Sequence, residues 1–302
     1  MITAAGGSVI WASLGFGVIT ASILAIAAVG FTLQFGATNI FNLAYGDTMT
    51  AAAFIGYLVT LAHLGLWAAL LAGGAFGAVF SVLLNRLIYA PFIRRGSRLF
   101  GMIIVSIAVS LLMSNGMQAI FGTNFYSLNV SQGAPHKVGP FIFTTIQLVI
   151  VAVAVAAMLG VHLLLRHTKL GRAMRATAGD AALARSCGIR TDLVIDVVWL
   201  MSGFLCGTGG VALVANITSF DFGTGGQFII LILTAAVLGG VGQPYGAMVG
   251  ALVIGVASEM SASIISPDYK ELVAFVILVL VLLVRPQGIF SEVATQKEVV
   301  AA

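Results

Sequence analysis

Charge is what this sequence has least of. Only 8% of its 302 residues are Asp, Glu, Lys or Arg, where a water-soluble domain carries about 25%. With 60% hydrophobic residues and a mean hydropathy of +1.11, the chain holds more apolar surface than an aqueous fold can hide, so its solvent is lipid. Proline is scarce, at 6 residues against 36 glycines, a balance that suits close helix packing through small residues. The two cysteines, Cys187 and Cys206, give neither a disulfide framework nor a metal-ligand spacing. Four histidines (His63, His136, His162 and His167) are scattered near span ends, where packing or interfacial roles suit them better than a metal. No Gly-x-x-x-x-Gly-Lys-Ser/Thr run occurs, so the chain is not expected to hydrolyse ATP by itself. No nucleophile–base or metal constellation points to an enzyme. The first residues carry no positive charge, so the first span is expected to be retained rather than cleaved as a signal peptide.

What is present is a succession of apolar runs. A helix needs about 20 apolar residues to cross the hydrocarbon core, and candidate spans cover 10–33, 40–61, 64–84, 99–121, 143–165, 193–215, 227–241, 247–265 and 271–284. The runs are continuous rather than alternating, which favours helices over a barrel. The expected fold is all-α: one polytopic transmembrane bundle of eight or nine spans over 1–302, with broken or re-entrant segments and a short seventh span. Basic residues sit at span ends rather than on one soluble face, which argues against nucleic acid. They fall in two clusters, Arg86 with Arg94, Arg95 and Arg98, and the loop 166–190, while 122–141 holds only Lys137. Positive loops face the cytoplasm. Loops 86–98 and 166–190 are therefore expected inside, the N-terminus outside and, with nine spans, the C-terminus inside, in keeping with Arg285 and Lys297.

Three segments interrupt the apolar pattern. The first, 34–47, holds Gln34, Asn39, Asn42, Tyr45, Gly46 and Asp47. Irregular backbone at membrane depth must be buried in protein or line a wet cavity, and transporters use broken helices to face substrate. A substrate-pathway lining is expected here; the plainer alternative is a polar turn with Asn39 or Asn42 capping the next helix. The second, 216–227, is an outside loop or a re-entrant element, and its Asn216-Ile217-Thr218 matches a glycosylation pattern weakly. The third, 239–246, is a Gly- and Pro-punctuated turn between half-helices, with no basic residue to make it a phosphate loop. Glu259 is the carboxylate placed well inside a predicted span. Such a group marks either a pathway or a structural hydrogen bond to Ser258, Ser261 or another helix. Asp192 and Asp196 are expected at headgroup level.

The loop 166–190 holds six of the fourteen Lys and Arg residues and one acid, Asp180. It reads as two short helices. Thr168 caps one that runs to about Ala176; Gly179 and Asp180 start another that stops near Cys187 and Gly188. Leu170, Ala173, Met174 and Thr177 share one face, and Leu183, Ala184 and Cys187 share another. A small apolar face with a basic rim suits a groove on a partner protein, and its alanines would bind a lipid surface weakly.

The run Gly171-Arg172-Ala173-Met174-Arg175-Ala176, then Asp180-Ala181 and Gly188-Ile189-Arg190-Thr191-Asp192, resembles the coupling segment of the branched-chain amino acid ABC transporter permeases. Asn42-Leu43-Ala44-Tyr45-Gly46 is similar to their Asn-x-Ala-His/Tyr-Gly motif. Ala236 to Gly242, followed by Pro244 and Gly246-Ala247, and Arg285 to Phe290 match two further stretches, in the same order, from about Gly30 to Phe290. One departure is Gly179, where an acid or amide often precedes Asp180.

The resemblance implies the integral membrane subunit of an ATP-driven importer in the bacterial inner membrane. It implies two cytoplasmic ATPase subunits docked at Gly171, Arg172, Ala173, Arg175, Asp180 and Gly188, and an extracytoplasmic binding protein. It also implies a second, related permease, a different chain in preference to a second copy. Asn42, Tyr45 and Gly46 would lie on the pathway motif and Glu259 would match an acid common on the family's late helix, while Gln34, Asn39 and Asp47 are expected on the same pathway from the polarity of 34–47 alone. The chain itself would carry no cofactor, ATP and Mg being held by the ATPases. The substrate would be a hydrophobic or branched-chain amino acid, or else a small neutral solute such as urea or a short amide. The rival from another class is an ion-coupled secondary transporter with Asp47 and Glu259 as its carriers.

Overall fold

A computed structural model describes residues 2–96, 99–138, 141–217, 219–264, 266, 269–284 and 288–289. Arg98, Thr218, Arg285, Lys297 and most of the 285–290 motif lie outside the described residues. Among those described, the chain is an all-helical bundle with one small hairpin. Its elements are α1 (Ile2–Thr38), α2 (Tyr45–Leu61), α3 (Gly65–Leu84), a π turn (Asn85–Tyr89), α4 (Ala90–Arg94), α5 (Leu99–Phe121), β1 (Pro135–Val138), β2 (Phe141–Thr144), α6 (Thr145–His167), α7 (Lys169–Gly179), α8 (Ala181–Ser186), α9 (Thr191–Asn216), α10 (Thr224–Gly239), α11 (Pro244–Ile264) and α12 (Lys270–Val284).

Six helical stretches are long and apolar enough to cross a membrane: Trp11–Thr38, Gly65–Ile93, Phe100–Phe121, Thr145–His167, Thr191–Asn216 and Pro244–Ile264. Three apolar helices are shorter, α2 with 17 residues, α10 with 16 and α12 with 15. At about 1.5 Å per residue each falls short of the ~30 Å hydrocarbon core. Together these make the nine apolar elements of the sequence reading, with the shortfall confined to three of them.

The bundle is organised around α9. Of its best apolar stretch 78% is buried, against 22% for α5 and α6. α9 gains this position through small residues. Gly203 and Gly207 lie flat against Gly77 and Gly73 of α3, and a methyl group added at any of the four would meet backbone carbonyl oxygen or a neighbouring side chain. In lipid, where no hydrophobic force drives helices together, such close approach supplies the packing energy. Long α1 crosses the same core, burying Ile23, Leu24, Ile26, Ala27 and Phe31. By contrast, Leu111, Leu112 and Ile120 of α5, Leu159 and Leu163 of α6 and Leu283 of α12 remain exposed, as lipid-facing residues are.

The ends are closed by local chemistry. At one end the β1–β2 hairpin pairs Pro135 with Thr144 through Val138 with Phe141, a feature that the expected loop 122–141 did not include. Phe141 meets Trp11 of α1 edge to face, with centroids 5.9 Å apart. Thr144 then starts α6 with a capping box completed by Gln147. Nearby, Phe54, Phe121, Tyr126 and Phe220 form one aromatic cluster, and Tyr126 and Phe220 exchange two backbone hydrogen bonds of 2.8 Å. The opposite end carries the basic loops. There α3 does not stop at residue 84 as its sequence suggests: the π turn carries it on into α4. The polar pair Asn85 and Arg86 finds partners on α9, so it does not end the helix.

A bulky residue at Gly207 must separate α3 from α9, whereas Gly160 of α6 has open space around it. Gly207→Leu is expected to destabilise the fold by about 1–3 kcal/mol or more. Gly160→Ala is expected to be neutral or slightly stabilising. Thermal denaturation in detergent, followed by loss of the monodisperse peak, distinguishes the two.

Candidate functional site

The break between α1 and α2 is shorter than the segment 34–47 read from the sequence. Gln34 belongs to the last turns of α1, and Tyr45, Gly46 and Asp47 form the first turn of α2, leaving 39–44 as the non-helical link. Asn39 turns the chain with φ 54°, a left-handed conformation that asparagine tolerates better than most residues. Neither Asn39 nor Asn42 caps α2: the cap position is Ala44 and makes no side-chain hydrogen bond. The capping alternative is therefore set aside.

Instead the break is held by side chains from three other elements. Tyr89 of the π turn donates to Asn42 Oδ1 at 2.8 Å, and Leu43 N–H donates to Ser106 Oγ of α5 at 2.8 Å. Ser202 of α9 donates to Gln34 Oε1 at 3.2 Å. The Tyr45 hydroxyl lies 3.0 Å from the Ala27 carbonyl oxygen and 3.3 Å from that of Ser202. Gln34, Asn42 and Tyr45 are each almost completely buried, while Asn39 is exposed. Asp47 is buried on the far side of the turn, where it accepts a hydrogen bond from Ser110 of α5. Gly46 lies against Gly225, so the first turns of α2 and α10 touch, and Thr50 Oγ1 accepts from Gly225 N–H at 2.8 Å. Half-helix N-termini meeting inside a bundle are the arrangement that transporters use near their binding sites.

Glu259 does not join this group. It lies near the end of α11, accepts from Thr20 at 2.8 Å and forms an ion pair with Lys270 at 2.8 Å. Both partners belong to other helices, α1 and α12, as the structural alternative allowed, rather than being Ser258 or Ser261. Asp196, expected near a span end, has partners that its sequence neighbourhood does not show. Arg86 donates to its Oδ2 from Nη2 at 2.7 Å and from Nε at 3.1 Å, and Asn85 donates to Oδ1 at 3.3 Å. Sequence reasoning missed this cluster, together with Tyr89, Ser106, Trp199 and Ser202. A polar pair inside a helical run, Asn85-Arg86, and an acid one turn into a span were the available signals, but only tertiary structure brings them together.

At the same end lies the two-helix element. Thr168 caps α7, its Oγ1 accepting from Gly171 N–H at 3.0 Å. Asp180 caps α8, accepting from Ala182 and Leu183 N–H at 2.8 and 3.0 Å. Gly188, at φ 84°, turns the chain out of α8. α7 runs to Gly179, three residues beyond the expected stop. The expected partner-facing apolar side of α7 is corrected: Gly171, Met174 and Thr177 are buried within this chain, with Leu170 and Ala173 packed beside them. Gly171 allows this, because a Cβ there would overlap the carbonyl oxygens of Leu164 and Leu165. Arg175, itself exposed, reaches back to donate to the Leu165 carbonyl. Exposed to the outside are Arg172, Arg175 and Asp180, Leu183 of α8 at 62% exposure, and Cys187 and Gly188 just after it.

Comparison with known proteins bears on this arrangement. The family model described as the branched-chain amino acid transport system / permease component matches residues 13–282. The high-affinity branched-chain amino acid transport system permease protein LivH of Salmonella typhimurium is 31% identical over 296 residues, covering 93% of this chain and 95% of that protein. BraD of Pseudomonas aeruginosa, a permease protein of the same description, is 30% identical over 306 residues, covering 93% and 95%. A solved structure, PsaBC from Streptococcus pneumoniae in complex with Fab, shares the fold with TM-score 0.52 at 13% identity, covering 90% of this chain and 91% of that one. A polytopic helical bundle with a non-helical link between its first two helices, matched by this model along almost its whole length, belongs to the branched-chain amino acid transport permease family.

Proposed function

We propose that the protein is the membrane-spanning subunit of an ATP-driven importer, and that it passes hydrophobic amino acids or a closely related small neutral solute across the bacterial inner membrane. The observation that carries this reading is the α7–α8 element. Its inner face is fixed to the bundle by Met174, Thr177 and Arg175, and its outer face offers Arg172, Asp180 and an exposed Leu183. An element clamped on one side and bare on the other suits the transfer of motion from a docked ATPase. The basic end of the bundle then faces the cytoplasm, in keeping with the distribution of Lys and Arg. An extracytoplasmic binding protein delivers substrate at the end bearing the β1–β2 hairpin. A second, related permease completes the pathway, in line with the pairing that the resemblance implies.

Transport follows as alternating access. Closure of the ATPases on nucleotide moves α7 and α8, and α6, α1 and α9, which contact α7, carry that motion to the break at 39–44. The break is the segment able to re-pair: its side-chain hydrogen bonds run to α5 and the π turn, and Ser202 of α9 holds Gln34 just before it. Asn39, Asn42, Tyr45 and Gln34 then line the route in the open state. The ion-coupled reading has less support. Asp47 is held by Ser110 and Glu259 by Lys270 and Thr20, and the two carboxylates share no hydrogen-bond partner among the described residues.

Two outcomes check the reading. Arg172→Glu combined with Leu183→Asp reverses the charge and removes the apolar contact of the outer face without touching the inner one. The doubly substituted chain is expected to reach the membrane in normal amount but to lose ATPase copurification and ATP-dependent uptake. Retention of both sinks the coupling role, and uptake that survives ATP depletion but collapses with an uncoupler favours the rival. Tyr89→Phe leaves Asn42 Oδ1 without its donor, a loss of about 1–3 kcal/mol for a buried polar group. Its expected signature is reduced uptake and a lowered melting temperature in an intact complex, read by transport assay and size-exclusion chromatography.

A further inference from the structure

A cavity of about 900 Å³ opens at the basic end of the bundle, between α8 and the ends of α1, the α3–α4 helix and α9. It lies toward the upper end of the ~300–1,000 Å³ range of small-molecule sites. Its walls divide by chemistry. Ala37, Ala90, Pro91, Ile93 and Ile195 make an apolar side, while Asn85, Arg86, Arg185, Asp192 and Asp196 make a polar one. The charges balance, two basic against two acidic groups, so the cavity favours neither a cation nor an anion. Both ion pairs are open to exchange. Arg86 is 67% exposed while it holds Asp196, and the Arg185–Asp192 pair is loose at 3.7 Å with both side chains largely exposed. Asn85 adds a further element. It is 3% exposed and holds Asp196 from inside the wall, while its own Oδ1, closed to solvent, has no hydrogen-bond partner among the described residues.

We propose that this cavity is a binding site for a hydrophobic amino acid on the coupling side of the permease. The ammonium group is taken by Asp192 or Asp196, the carboxylate by Arg86 or Arg185, and the aliphatic side chain by the wall of Ile93, Pro91 and Ile195. A zwitterion satisfies both halves of the polar wall at once, whereas a simple amine or acid satisfies one and leaves the other charged side unpaired. Ala181 and Arg185 belong to α8, so occupancy fixes α8 against α3 and α9 and resists its movement. Accumulated amino acid thereby slows the cycle that brings it in. This regulatory part rests on the importer reading, in which α8 receives motion from an ATPase.

The test uses the whole permease–ATPase complex, purified in detergent without its binding protein, and radiolabelled leucine as the probe. Saturable leucine binding is expected, competed by unlabelled leucine but at least roughly tenfold less well by isoamylamine or 4-methylpentanoate, each of which lacks one charged group. Ile93→Trp, at an exposed wall position, fills the apolar side and is expected to abolish binding; Ala90→Trp is the second variant if the first does not assemble. In inside-out vesicles, leucine on the ATPase side is expected to lower ATP hydrolysis severalfold in the wild type and not in the variant. Absence of saturable binding overturns the proposal, and so does equal competition by the amine or acid, or binding unchanged in both tryptophan variants. If ATP-driven uptake persists alongside those negative results, the site fails and the importer reading stands. If the chain neither binds an ATPase nor supports uptake, the importer reading itself fails.

Discussion

Within a bilayer, a backbone group released from a helix must find another partner in the protein. The link at 39–44 is where this chain meets that demand, and much of the bundle is arranged around the answer. Asn39 N–H returns to the Phe35 carbonyl at 2.7 Å, and Leu43 N–H reaches Ser106 on α5. Tyr45 N–H is left with a longer bond of 3.2 Å to the Asn42 carbonyl. The side chains of the link are held in turn by Tyr89 and by α9. The π turn contributes here, since it places Tyr89 on Asn42 while its first residues, Asn85 and Arg86, reach Asp196. A π insertion inside an α-helix is often a mark of function, and in this chain it lets one helix serve both the break and the basic end.

Close packing of small residues makes the arrangement possible. α9 can supply Ser202 to Gln34 and Cys206 to the Tyr45 carbonyl because Gly203 and Gly207, on neighbouring turns, bring α3 within backbone contact. The same logic sets Gly46 on Gly225, where two helix starts would otherwise be kept apart by their side chains. The abundance of glycine in the sequence is therefore spent largely on helix contacts. A smaller number of glycines, Gly188, Gly240 and Gly242 among them, adopt the positive φ values that turns need.

The local features were the legible ones. Thr168, Asp180 and Gly188 specify two capped helices within a few residues, because capping depends on near neighbours in sequence. The unusual polarity of 34–47 marked the break for the same reason. Features that depend on distant contacts were not legible. The periodicity of α7 revealed an apolar face but not its owner, and Met174 and Thr177 turn out to be buried in the chain itself. Glu259 stood out as an acid in a span, yet its partner Lys270 sits on the following helix, and only the fold of α11 onto α12 makes the pair. The Asn85–Arg86–Asp196 cluster joins positions more than a hundred residues apart, beyond the reach of any spacing rule.

The placement of α7 has a consequence for how force could enter the bundle. In the proposed importer, an ATPase pushing on Arg172 acts on an element, α7, that is tied to the bundle at several points. Gly171 allows no gap between α7 and the end of α6, Arg175 ties α7 to the same carbonyl region, and Met174 joins the core that contains α1 and α9. A loosely attached amphipathic helix would absorb such a push by sliding; this one must pass it on. The nearest part of the bundle able to yield is neither the glycine-packed contact of α3 with α9, which has no space, nor the long helix α1 along its length. It is the break at the end of α1, where helical hydrogen bonding is already interrupted and where Gln34 Nε2, Asn42 Nδ2 and, beside them on α9, Trp199 Nε1 have no partner among the described residues. Unpaired buried donors raise the energy of the present state by an amount that a rearrangement pairing them would recover. The same segment is thus both mechanically weakest and chemically incomplete, which is the combination expected of a part that alternates between two packings.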